Sequence, residues 1–180
     1  MATGDNRRLT ATHDPVTAAR KEPYLVPVDV LLLYTRVGPD GTELLVGLRQ
    51  GGFASGHWDT VSGKLEPDEA LQQGMAREAF EETRLRVPAD ELRLVAVAHW
   101  HPPDGTPRVG MFFHLEADPG RHGEPVIAEP GKCRELRWAP MTALPTLLLR
   151  YTEIGIDLYR SGRPYTSVDW PDSTQTFGGR

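Results

Sequence analysis

The strongest constraint in this sequence is a change of period. Residues 58–62, WDTVS, read as a short strand, but from Pro67 the spacing becomes helical and runs to about Arg84, with Pro88 beyond it as a stop. Pro67, Asp68 and Glu69 supply the start signal, a proline in the first turn followed by acids that the helix dipole favours. A helix is therefore set among strands. Upstream, VDVLLLYTR at residues 28–36 is β-branched and apolar, and GPDG turns it into ELLVGLR at residues 43–49, a hairpin with a buried face. Downstream, LRLVAVAHW and RVGMFFHLEA are strands separated by the turn-rich HPPDGTP, and RELRWAP begins a third at Arg134. Leu147, Tyr151, Ile154 and Leu158 then fall within an arc of about 60° at helical spacing, marking an amphipathic helix that covers the sheet. Without any internal repeat, this order predicts an α/β/α sandwich, a mixed sheet between helices.

A chain of 180 residues is the size of one domain and needs no disulfide to bury a core. Residues 1–23 are polar and aperiodic and read as a flexible arm, residues 24–162 as the domain, and residues 163–180 as a polar tail. The net charge of −5 offers no basic face for a nucleic-acid polymer. An anionic small molecule can still bind, provided divalent cations stand between its phosphates and the protein's carboxylates. Cys133 is the only cysteine, and no segment has the length of a membrane span or the apolar core of a signal peptide, so a cytoplasmic protein with no membrane partner is expected. A homodimer stays open.

Glu78, Glu81 and Glu82 stand at i, i+3 and i+4, three like charges within an arc of about 100°. Leu71, Met75 and Ala79 occupy the neighbouring arc, so the acids lie beside the core-facing stripe. An isolated E-x-x-E-E is ordinarily a solvated helix face. Here Gly63, Glu69, Arg77, Glu78, Glu81 and Glu82 form G-x5-E-x7-R-E-x2-E-E, which is far more specific.

The segment GKLEPDEALQQGMAREAFEETRL closely resembles the motif of the Nudix hydrolases, and the strands and final helix carry the resemblance from about Tyr24 to Trp170. It implies a Mg2+-dependent hydrolase, with Mn2+ as an alternative, acting on nucleoside diphosphates linked to a further group. By that resemblance Glu78 and Glu82 are metal ligands, completed by Glu81 and a backbone carbonyl near Ser62 and Gly63. Glu81, Glu82, Glu129 and Arg77 are its catalytic candidates, Arg77 bracing the glutamates. Glu69, on the far side of a regular helix from Glu78, is expected to fix a loop. Arg49 and Lys64 lie where the family places phosphate-binding cations, with Arg108 a weaker candidate. Two positions depart from the pattern: Ala79 replaces a larger aliphatic residue, and Arg84 replaces a glycine whose left-handed turn costs a side-chained residue about 1 kcal/mol.

The segment GEPVIAEPGKCRELRWAP resembles the MutT-like nucleoside triphosphate pyrophosphatases, implying a nucleoside triphosphate substrate and products monophosphate and pyrophosphate. In those enzymes a glutamate six residues after the glycine of GEP closes over the metals. Glu129 stands at that distance from Gly123, as a base or further ligand on a mobile loop. The alternatives are a nucleoside diphosphate-X substrate (ADP-ribose, a nucleotide sugar or a dinucleotide), a nucleotide sensor without activity, and an isopentenyl diphosphate isomerase. The last uses a cysteine ahead of the motif that this chain lacks. His57, His99, His101 and His114 alternate along strands without companion cysteines and read as ordinary polar positions rather than a zinc site. Phe53, Trp58 and Trp100 could stack on a base or serve the core.

Overall fold

The computed structural model describes residues 24–103 and 105–170. Its centre is β1 (Val28–Gly38), buried along most of its length. Val30, Leu32 and Tyr34 pack into one core cluster and Leu31 and Leu33 into the clusters on the opposite face. Successive strand side chains point to opposite faces, so a strand apolar at consecutive positions needs cover on both sides. Two helices supply it. α1 (Leu71–Thr83) seats Met75 and Ala79 on the first cluster, and α3 (Arg150–Ser161) seats Tyr151, Ile154, Ile156 and Leu158 on the other face. The predicted α/β/α sandwich is the observed fold.

The sheet is mixed and eight-stranded. The far end of β1 forms a tight hairpin with β2 (Gly41–Arg49), its turn requiring Gly41 at φ 113°. The near end of β1, residues 29–32, pairs instead with β4 (Val61–Lys64), while β3 (Trp58–Asp59) pairs with β2. β1 and β2 therefore part like a fork, and the β3–β4 segment fills the opening. On the other side of β1 lie β6 (Arg108–Glu116), parallel to it, then β5 (Arg93–Trp100). β7 (Cys133–Pro140) lines the outer side of β2.

Several boundaries differ from the sequence expectation for identifiable reasons. Residues 58–62 are two strands rather than one, because the chain crosses from β2 to β1 at Thr60, whose N–H is held by the Asp59 carboxylate at 2.9 Å. α1 begins at Leu71, not Pro67. Asp68 takes a left-handed conformation (φ 65°), and Gln73 caps the helix by accepting from the Ala70 N–H at 3.0 Å. Leu147 lies before α3, where its carbonyl accepts from Trp58 N–H at 2.7 Å. A four-residue helix, α2 (Pro119–His122), follows β6, and the polar stretch read as a tail contributes β8 (Tyr165–Val168), parallel to β5. The arm at residues 1–23 lies outside the described residues. Among the described residues no helix is long and apolar enough to cross a membrane.

Candidate active site

The fork determines what α1 can reach. A Cβ on Gly63 would stand 1.8 Å from the Glu78 carboxyl carbon, so only glycine lets the helix bring that side chain against β4. One turn on, Glu82 accepts from the Ser62 N–H at 3.1 Å. Met75 and Ala79, both fully buried, seat this face of the helix. The small Ala79 fits a helix packed closely on the sheet. Burial is the main cause that pushes the Glu82 carboxyl up to about 8; the Ser62 N–H opposes it, and the charges of Asp59, Glu78 and Glu129 add to it. Glu78 is also raised, chiefly by burial, with Arg77 opposing. Burial thus disfavours the charged form of both carboxylates, a cost that a bound cation would offset.

Arg77 supplies part of the balance and fixes the geometry. Its guanidinium donates to both Glu69 oxygens at 3.1 and 2.8 Å, to Glu78 at 2.9 Å, to Glu81 at 3.2 Å and to the Lys64 carbonyl at 3.1 Å. A planar five-donor fork can hold this arrangement and an ammonium cannot. Glu69 precedes the helix rather than lying on its far side; it also accepts from the Glu66 N–H at 2.7 Å, and its pKa is lowered first by Arg77. The three motif acids divide: Glu78 and Glu82 face β4, whereas the Glu81 side chain is 53% exposed and turned to Arg77. Among the described residues no three histidine, cysteine, aspartate or glutamate side chains already converge as a metal cage.

Beside Glu82 opens a cleft lined by Arg49, Asp59, Thr60, Glu129, Lys132 and Cys133, among others. Arg49 is not a free surface charge, for it donates to Asp59 at 2.9 Å and to the Phe53 carbonyl at 3.3 Å. Asp59, not singled out in the sequence, is the buried post of the fork. It accepts from Thr60 N–H, Ser62 Oγ and, from α3, Thr152 Oγ1, and burial still pushes its carboxyl up. The signal available was an aspartate inside an apolar strand segment; its partner Thr152 is too distant in sequence to foresee. Thr60 Oγ1 is buried without a hydrogen-bond partner among the described residues. Cys133 is half-buried, its thiol donating to the Glu135 carbonyl at 3.2 Å.

Glu129 faces this cleft, but its loop is tied down rather than free. Val126 and Ala128 N–H groups donate to the Thr83 and Glu82 carbonyls at 2.9 and 3.1 Å, and Lys132 and Cys133 N–H groups donate to the Glu129 carbonyl. These bonds use the carbonyls that a helix C-terminus leaves unpaired. Arg84 caps α1 in the left-handed conformation (φ 61°) that glycine would favour. Lys64 is exposed at the end of β4 and does not line the cleft. Arg108 is paired with Asp29 on β1. The histidines are dispersed: His114 bonds Thr35 and Tyr159, and His99 and His101 pack on Trp170. Trp58 is core, Trp100 packs on Tyr151, and Phe53 is exposed.

The NUDIX domain family model matches residues 24–162. The chain belongs to the NUDIX family. It is 30% identical over 163 residues to the NAD-capped RNA hydrolase NudC of Stutzerimonas stutzeri, covering 86% of this chain and 52% of that protein. It is 27% identical over 119 residues to phosphatase NudJ of Escherichia coli K12, covering 63% of this chain and 76% of that one. The chain thus spans about half the length of its NudC relative. The NUDIX fold is shared with the crystal structure of a MutT NUDIX hydrolase from Burkholderia pseudomallei, at TM-score 0.65 and 24% identity over 74% of this chain and 98% of that one.

Proposed function

We propose that this NUDIX chain is a metal-dependent pyrophosphohydrolase that converts a nucleoside triphosphate to monophosphate and pyrophosphate. The observation that carries the reading is the seating of Glu78 and Glu82 against Gly63 and Ser62, with Glu82 and Glu129 both lining the adjoining cleft. The residues fit a divalent cation. The donors are oxygens, as Mg2+ or Mn2+ prefers, and burial, with a smaller push from the neighbouring acids Asp59, Glu78 and Glu129, disfavours an uncompensated charge on Glu82 that a cation would offset. Glu78 and Glu82 would hold it, with Glu81 and the Gly63 carbonyl to complete the set. Bound there, it would supply charge neutralisation at the phosphate oxygens and a more acidic water.

The chain's own residues do the remaining work. Arg77 keeps Glu78 and Glu81 in register with the Lys64 carbonyl, so the acids do not splay under mutual repulsion. Arg49, oriented by Asp59, presents a cation at the cleft for a phosphate oxygen. Lys64 is available to substrate outside it. Glu129, not engaged with α1 through its side chain, accepts the proton of the attacking water. Because its loop is anchored to the end of α1, this carboxylate is placed before substrate arrives.

A second reading, hydrolysis of a dinucleotide or other nucleoside diphosphate-X, is favoured by the NudC relative. Product analysis with Mg2+ separates the two. A nucleoside triphosphate should yield pyrophosphate and monophosphate; faster turnover of NAD or ADP-ribose to monophosphate products would select the second reading. Release of orthophosphate alone from every substrate would contradict both.

A further inference from the structure

The cleft has a cation that the NUDIX motif does not contain. Lys132 lines it together with Glu82, Glu129 and Arg49, and its ammonium donates to Glu129 Oε1 at 2.8 Å. Its backbone is fixed: the carbonyl accepts from Gln50 N–H at 2.7 Å, and the N–H donates to the Glu129 carbonyl at 2.9 Å. The side chain is 72% exposed and, among the described residues, is ion-paired with Glu129 alone, so it can move while its anchor stays. Arg49, by contrast, is held in place by Asp59 and the Phe53 carbonyl, so it is the fixed cation of the cleft.

An ammonium paired with one carboxylate at an exposed edge is weakly held. A diphosphate offers it more charge and more acceptor oxygens than Glu129 does. Glu129 meanwhile is of no use as a base while it is paired to a cation at 2.8 Å. We propose that Lys132 is a second, mobile phosphate-binding cation of the cleft beside Arg49, and that a seated substrate phosphate draws its ammonium away from Glu129, freeing that carboxylate only when substrate is present. The proposal rests on the pyrophosphohydrolase reading and adds to it a specificity device. Water entering without a phosphate meets a neutralised Glu129.

The test is calorimetric binding of imidodiphosphate, a diphosphate without a base, at saturating Mg2+. Lys132→Gln should weaken binding about tenfold, and Lys132→Arg should restore it to within about threefold. Thermal melting should not move for either, since the side chain is exposed. Glu129→Gln should tighten binding in the wild-type background, because the ammonium is released beforehand, and should lose that effect in the Lys132→Gln background. Undiminished binding by Lys132→Gln overturns the proposal, as does a Glu129→Gln effect of equal size in both backgrounds. A wild-type protein that takes up no imidodiphosphate overturns the pyrophosphohydrolase reading and this proposal together.

Discussion

Replacing Glu82 by glutamine separates the charge of this residue from its shape. The side chain keeps its size, its helix propensity and an acceptor for the Ser62 N–H. What disappears is a titration. In the metal-free protein the Glu82 carboxyl stands at about 8 against an ordinary 4.5, a difference worth roughly 4 to 5 kcal/mol of unfavourable charge burial. The folded pKa lies above the unfolded one, so the folded state holds the proton more tightly. Stability from this group is complete below about pH 4.5, declines as pH rises, and is lost above about pH 8. Glu78 and Asp59, also raised by burial, act in the same direction.

The metal-free Glu82→Gln protein should therefore melt near the wild-type temperature at pH 5 and above it at pH 8.5. Added Mg2+ should raise wild-type melting above pH 7, where it relieves the buried charge, and should do little for the variant. Turnover should fall by two to three orders of magnitude, about the loss expected when a main charge at a metal site is removed. Melting scans from pH 5 to 8.5, with and without Mg2+, read alongside turnover, check all three. A variant that follows the wild-type pH curve and gains the same Mg2+ increment would refute the argument that Glu82 is the centre of the buried charge. Near-wild-type turnover would refute its assignment as a ligand.

Gly63→Ala should displace the Glu78 carboxylate, since the new methyl would stand 1.8 Å from its carboxyl carbon. Turnover should drop about a hundredfold while the fold survives with a loss of about 1 to 3 kcal/mol, measured by steady-state kinetics and urea denaturation. Unchanged turnover would show that the close approach is not required. Arg84→Gly should stabilise the protein by about 0.5 to 1 kcal/mol, because Arg84 caps α1 at φ 61°, less whatever is lost from its stacking 5.3 Å over Phe80. A lowered denaturation midpoint would mean that the stacking outweighs the backbone strain.

The parts of this molecule that were legible in the sequence are those whose partners lie close along the chain. Arg77, Glu78, Glu81 and Glu82 share one helix, so spacing alone puts them together. Asp59 and Thr152 meet across 93 residues, through a fork in the sheet that no local pattern announces. β8 was missed because it joins by backbone pairing to β5, while its side chains alternate between exposed and half-buried with no apolar face to mark them. The early helix start failed differently. Pro67, Asp68 and Glu69 do carry first-turn preferences, but Glu69 is drawn to Arg77 and the Glu66 N–H, and a left-handed Asp68 delays the helix.

The division of labour among the three acids was, by contrast, contained in the helical phase. Taking the core direction of α1 midway between Met75 and Ala79, at 100° per residue Glu82 lies about 40° from it, Glu78 about 80° and Glu81 about 140°. Depth of burial follows that order: Glu82 is the most strongly raised, Glu78 has a side chain 15% exposed, and Glu81 is 53% exposed. Three carboxylates on one face are therefore not equivalent. A helix that buries Met75 and Ala79 must carry Glu82 toward the sheet with them, and the desolvation that raises its pKa is a cost that the proposed divalent cation would offset there. Glu81, turned away by a further 100°, meets Arg77 and solvent instead. The spacing i, i+3, i+4 thus encodes one deep carboxylate, one intermediate and one at the rim, and the helix's own apolar stripe decides which is which.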